Sequence, residues 1–145
     1  MYEIIKHLHS GLRWLVLLGL IYAVYDAYTK WKQNSPYNKD TKKAAFIAFN
    51  LTHTQALVGL IIYFITPRIV FGPGLMKDAI QRFFAMEHPL MMLIAITLIT
   101  IGYIKGKRGI AGGSFKTIFW FYSIALLIIL ASIPWPWMKY GTSWY

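Results

Sequence analysis

Four long apolar stretches, separated by short basic or Gly/Pro-rich segments, dominate the pattern of this chain. Residues 8–28, 44–66, 83–103 and 115–135 each reach the roughly 20 mostly apolar residues that a helix needs to cross a hydrocarbon core. Their polar punctuation predicts helices over about 2–29, 43–66, 83–104 and 115–135. Trp31 anchors the end of the first at an interface, and the run from Lys32 to Pro36 breaks it. The second stops before Pro67 and the turn cluster up to Gly74, and the fourth stops at Pro134 and Pro136, flanked by Trp135 and Trp137. Residues 75–84 alternate apolar and charged positions in helical rhythm, which fits either an interfacial helix or a protruding start of the third span. Gly102, Gly106 and Gly109 are expected to weaken helix continuity where the third span ends. The pattern predicts one all-α domain over residues 1–145, a four-helix transmembrane bundle running up-down-up-down.

Composition strengthens the membrane reading. Hydrophobic residues make up 57% of the 145 and aromatics 17%, above ordinary globular usage, and four spans leave no room for a soluble catalytic domain. A formal charge of +10 would suggest nucleic acid in a soluble protein. Here the basic residues fall in the connections between spans, the signature of topology rather than of a phosphate-reading face, so no nucleic-acid partner is expected. Lys30, Lys32, Lys39, Lys42 and Lys43 in the first connection and Lys105, Lys107, Arg108 and Lys116 in the third outnumber Lys6, Arg13, Arg68, Lys77, Arg82 and Lys139 at the other end. This bias predicts cytoplasmic first and third connections and extracytoplasmic N- and C-termini. The first span starts almost at Met1 without a small-residue cleavage site and is expected to be an uncleaved anchor. With no cysteine, a covalently attached c-type haem, an iron–sulfur cluster on thiolates, a disulfide and a zinc–thiolate site are all closed to this chain.

Three of the four histidines, His9, His53 and His88, lie inside predicted spans, where an ionisable side chain needs a partner and marks a candidate site. His9 and Arg13 are one turn apart on one face, with Ser10 and Gly11 between them, a spacing that suits imidazole to iron and guanidinium to a propionate. A snorkelling arginine near the helix end is the plainer account. His53 sits in a polar island with Asn50, Thr52, Thr54 and Gln55, which either binds something or clamps helices together. His88 follows Glu87 and precedes Pro89. Glu87 is expected to orient a histidine or handle protons, Pro89 to free a backbone carbonyl, and Ala85 and Ala95 to leave room for a macrocycle. Met91 and Met92 fit packing better than iron ligation, and His7 fits a solvated terminal position. Two estimates of depth compete: measuring each span from its basic end brings His9 and His88 together with His53 near the midplane, whereas folding the second and third helices as a hairpin around Phe71 makes His53 and His88 almost level.

The runs from His9 to Trp14, Thr52 to Gln55, Glu87-His88 with Met91 to Ala95 and Leu98 to Gly102, and Ile129 to Pro136 resemble a small family of bacterial four-helix membrane proteins labelled cytochrome b. The resemblance covers nearly the whole chain. It implies one b-type haem held noncovalently in the bundle, with His9, His53 and His88 as candidate metal ligands and Arg13 nearby. It also implies an electron-transfer subunit of a respiratory or other complex in the bacterial inner (cytoplasmic) membrane, with other membrane subunits and quinol or an extracytoplasmic redox protein as partners. The chain departs from the larger di-haem pattern, because no histidine pair stands at the basic end.

Two other classes remain open on the residues alone: a non-catalytic structural or assembly subunit whose polar groups glue helices, and a non-haem metal or proton site built from His9, His53, Glu87 and His88. No G-x-G-x-x-G, P-loop, nucleophile elbow or H-E-x-x-H occurs, so an accessory role is expected rather than catalysis by this chain alone.

Overall fold

A computed structural model describes residues 1–109 and 112–140. Four helices are long and apolar enough to cross a membrane: α1 (Tyr2–Lys32), α2 (Lys43–Ile65), α3 (Ala79–Lys107) and α4 (Gly112–Ser132). They form an all-helical bundle in which α1 packs on α2 and α4, α3 packs on α4, and α2 meets α3 over the smallest surface. One end of the bundle gathers the start of α1, the end of α4 and the α2–α3 connection. The other end, here the lysine-rich end, carries the first and third connections.

The packing is that of helices in lipid rather than in water. Small residues share the interior with a few large ones, Ala23, Ala27, Ala45, Ala48, Ala95 and Ala125 being buried beside Leu20, Ile99, Phe115, Ile118 and Tyr122, while Leu18, Leu57, Leu60, Phe64, Leu90, Leu93 and Leu127 point outward. Lipid tails are as apolar as leucine, so leaving lipid gains an apolar side chain little and close packing holds such helices together. An apolar surface this continuous fits bilayer contact.

Glycines mark the closest approaches. Gly102 and Gly106 do not interrupt α3, which continues to Lys107. A Cβ on Gly102 would stand 2.5 Å from the Phe121 Cβ, and one on Gly106 2.8 Å from Ile118 Cδ1. These positions serve the α3–α4 seam, correcting the expectation that they weaken the helix.

Helix ends follow local chemistry. α1 runs three residues beyond the expected Thr29 because Asn34, at φ 50°, turns the chain into a Schellman closure in which Asn34 N–H donates to the Trp31 carbonyl (3.1 Å) and Ser35 N–H to the Lys30 carbonyl (2.9 Å). Asn34 Oδ1 then accepts from Gly112 N–H at 3.1 Å, capping α4 and letting it begin three residues before the expected Phe115. α4 stops at Ser132 because the residue preceding Pro134 is steered away from helical geometry. α3 begins at Ala79, where the Asp78 carboxylate accepts from the Ile80 and Gln81 N–H groups at 2.8 and 3.0 Å. Most of the amphipathic lead-in is therefore the protruding start of the third span. Within it, Phe83–Glu87 forms a π-helical turn, with His88 N–H reaching back to the Phe83 carbonyl. Pro89 has no N–H to give the Ala85 carbonyl, and the Tyr63 hydroxyl donates to it from α2 at 3.2 Å.

Candidate functional site

The site grows from the end of α4. The last carbonyls of a helix lack intrahelical donors, and here ring N–H groups satisfy two of them: Trp135 Nε1–H donates to the Leu130 carbonyl at 2.9 Å, and His88 Nδ1–H donates to the Ser132 carbonyl at 2.8 Å. The second contact fixes the His88 tautomer. With the proton on Nδ1, Nε2 of the neutral ring keeps its lone pair, the arrangement that prepares a histidine for a metal. The His88 ring also packs on Phe83 at 5.9 Å, so the π turn and the end of α4 hold it from two sides.

His9 approaches from α1. Its ring lies against the bare α-carbon of Gly59, where an added Cβ would be 3.0 Å from Cε1 and 3.5 Å from Nδ1. One turn earlier on α2, Gln55 Nε2–H donates to the His9 carbonyl at 2.7 Å. His9 Nδ1 and Gln55 Oε1 are both buried and make no hydrogen bond, so two polar atoms on neighbouring helices are left unsatisfied beside one imidazole. Such atoms are costly in a membrane interior. His9, Arg13 and His88 lie at the same end of the bundle, His88 on the last carbonyls of α4 and Arg13 reaching Trp135 just beyond them. The Arg13 guanidinium lies 5.3 Å from the Trp14 ring centre and 6.0 Å from that of Trp135, and Trp135 stacks on Trp137 at 4.9 Å. Arginine and the tryptophans form one cluster at this end of the bundle.

His53 stands apart. It is six residues from Gly59, about 9 Å of helix rise, and its partner Thr100 is twelve residues from His88, about 18 Å. His53 Nδ1–H donates to the Phe49 carbonyl at 2.7 Å. Nε2 lies 3.1 Å from the Thr100 hydroxyl, which divides its proton between that nitrogen and the Ile96 carbonyl at 2.8 Å. Both ring nitrogens are engaged, and the residue clamps α2 to α3. Of the two depth estimates, the one measured from the basic ends matches this arrangement.

Other expected roles change. Glu87 pairs with Arg82 at 2.7 Å in an exposed contact, which turns it away from orienting a histidine. Gly11 faces outward with nothing near a would-be Cβ, so it opens no room inside the bundle. Met92 packs against the core, and His7 is exposed beside Glu3. Among the described residues, no three His, Cys, Asp or Glu side chains converge as a metal cluster. Three contributors escaped the sequence reading. Gly59 carried a weak signal as a glycine inside an apolar span. Tyr63 carried none beyond the Pro89 that frees its partner carbonyl, and the Ser132 carbonyl none beyond Pro136, which has no N–H to give it.

Comparison with protein families, with characterised proteins and with solved structures finds no match to this chain.

Proposed function

We propose that the end of the bundle opposite the lysines is a b-type haem site in an electron-transfer subunit, where His9 and His88 would hold the iron and Arg13 would balance propionate charge. The observation that carries this reading is the His88 ring, held by its Nδ1–H on the Ser132 carbonyl with Nε2 left for a ligand, at the end of the bundle that also carries His9 and Arg13. The unsatisfied His9 Nδ1 and the bare Gly59 surface fit the same chemistry, because an imidazole seated there turns about its own ring without meeting a Cβ. A porphyrin brings four nitrogens of its own, so two histidines suffice where a non-haem ion needs more protein ligands. When bound, haem iron supplies one-electron exchange between its ferric and ferrous states. The chain's own part is to present two neutral imidazoles, balance carboxylate charge with Arg13 and exclude water with the Trp14–Trp135–Trp137 cluster. Quinol or a redox protein at that end is the proposed electron partner, other membrane subunits the proposed assembly, and the bacterial inner membrane the proposed location. Haemin titrated into purified protein in detergent should produce a Soret band that saturates at one equivalent per chain, and absence of saturable binding would overturn the reading.

The His53–Thr100 contact favours a helix-clamping role for the midplane histidine. His53→Ala should lower stability by about 1 kcal/mol, the scale of an interhelical hydrogen bond in lipid, while haem content stays at the wild-type level. Thermal unfolding and a haem assay on the same preparation check both halves.

The proposed orientation places both termini outside the cytoplasm, because lysine-rich connections stay inside. Reporter fusions at Asn34 and Gly112 should report cytoplasm and one at Gly72 the outside; reversal at two of the three would invert the topology.

A further inference from the structure

At the lysine-rich end, the seam between α1 and α4 brings two ammonium groups onto one indole. Lys32, the last residue of α1, has its Nζ 4.7 Å from the Trp31 ring centre, and Lys116, the fifth residue of α4, has its Nζ 5.6 Å from the same ring. Lys32 also lies 5.6 Å from the Tyr28 ring. Tyr28, Trp31 and Phe119 form one aromatic cluster, with Phe119 5.5 Å from Tyr28 and 5.8 Å from Trp31. The backbone beneath is fixed: Asn34 caps Gly112, and a Cβ on Gly112 would stand 3.1 Å from the Trp31 carbonyl oxygen.

This cluster lacks negative charge. The carboxylates at this end are committed elsewhere, Asp26 to Lys30 at 2.7 Å and Asp40 to Lys43 at 3.0 Å. Among the described residues, neither Lys32 nor Lys116 has an ion-pair partner. The first turn of α4 contains no acid, so nothing on that helix start offsets the charge of Lys116. Two like charges on one ring repel unless something between them is negative.

We propose that this seam binds an anionic phospholipid, its phosphate between Lys32 and Lys116 over Trp31 and its acyl chains along the outward faces of α1 and α4. Basic pockets between spans recognise such headgroups, and the site lies where the hydrocarbon ends. Trp120 and Tyr25, 52% and 65% exposed, continue the surface into the apolar zone and offer acyl chains a wall, which a soluble phosphate would not need. The site lies at the opposite end of the bundle from the histidines and does not depend on the haem reading.

Purified protein in phosphatidylcholine nanodiscs doped with phosphatidylglycerol, examined by native mass spectrometry, tests this. One phosphatidylglycerol should be retained per chain, and Lys32→Gln with Lys116→Gln should weaken retention about thirtyfold, the product of two headgroup-proximal lysines. Lys39→Gln with Lys42→Gln, the same charge change in the first connection, should retain it, and the arginine pair at 32 and 116 should restore it. Equal loss in both glutamine pairs would show diffuse attraction and overturn the site. Equal retention of phosphatidylcholine, or displacement of the lipid by millimolar inorganic phosphate, would overturn the lipid assignment.

Discussion

His88→Ala should abolish retention of the proposed haem or convert a low-spin six-coordinate spectrum to a high-spin one. His88 has its Nδ1–H anchored to the Ser132 carbonyl at 2.8 Å. Removing the ring therefore deletes a preoriented lone pair and orphans a helix-terminal carbonyl at once. An unpaired carbonyl in a low-dielectric setting costs about 1–3 kcal/mol, so the variant should also unfold at lower temperature. Two readouts separate these effects. His88→Asn, whose Nδ2 stands where the His88 Nδ1 does, retains a donor for Ser132 without an imidazole, and it should recover part of the stability and none of the native spectrum. His9→Ala should match His88→Ala spectroscopically. If both alanine variants keep a wild-type spectrum, neither histidine is a ligand.

Gly102→Ala should destabilise the bundle by about 1–3 kcal/mol, the range for forcing an extra carbon into a packed seam. Its Cβ would stand 2.5 Å from the Phe121 Cβ, an atom the α4 backbone fixes and no rotamer moves, so α3 and α4 must part. In an uncrowded helix the same change would be mildly stabilising, because alanine is the better helix former. Gly113, with nothing near a would-be Cβ, supplies that contrast. Thermal unfolding in detergent should show a clear loss for Gly102→Ala and no loss for Gly113→Ala; equal behaviour would mean that the α3–α4 seam is not close-packed at this glycine.

The spans were legible because about 20 consecutive apolar residues have few alternatives, and a single period of sequence is enough to read them. What decides their ends was less legible. Asn34 and Gly112 are 78 positions apart, and no local rule connects a turn residue to the cap of a helix in another part of the chain. The glycines of α3 look like helix breakers in isolation and become contact points only when α4 is placed beside them. In the site, the residue types His9, Arg13 and His88 stood out as polar groups in apolar spans, and the freed carbonyl before Pro89 followed from proline chemistry. Their grouping required relative depth, which depends on how α2 is offset from α3. The same offset separates His53 from the other two and gives it to Thr100. Glu87 was misread because its neighbour in sequence, His88, faces the bundle, while the carboxylate turns outward to Arg82.

The most direct measurement is the absorption spectrum of wild-type protein purified from a haem-replete host, followed by a pyridine haemochrome assay on the same sample. A bis-histidine site predicts a low-spin ferric Soret band, sharp α and β bands on reduction, and noncovalent protoporphyrin IX iron at one equivalent per chain. A colourless, fully folded bundle that also fails to take up added haemin would contradict the account.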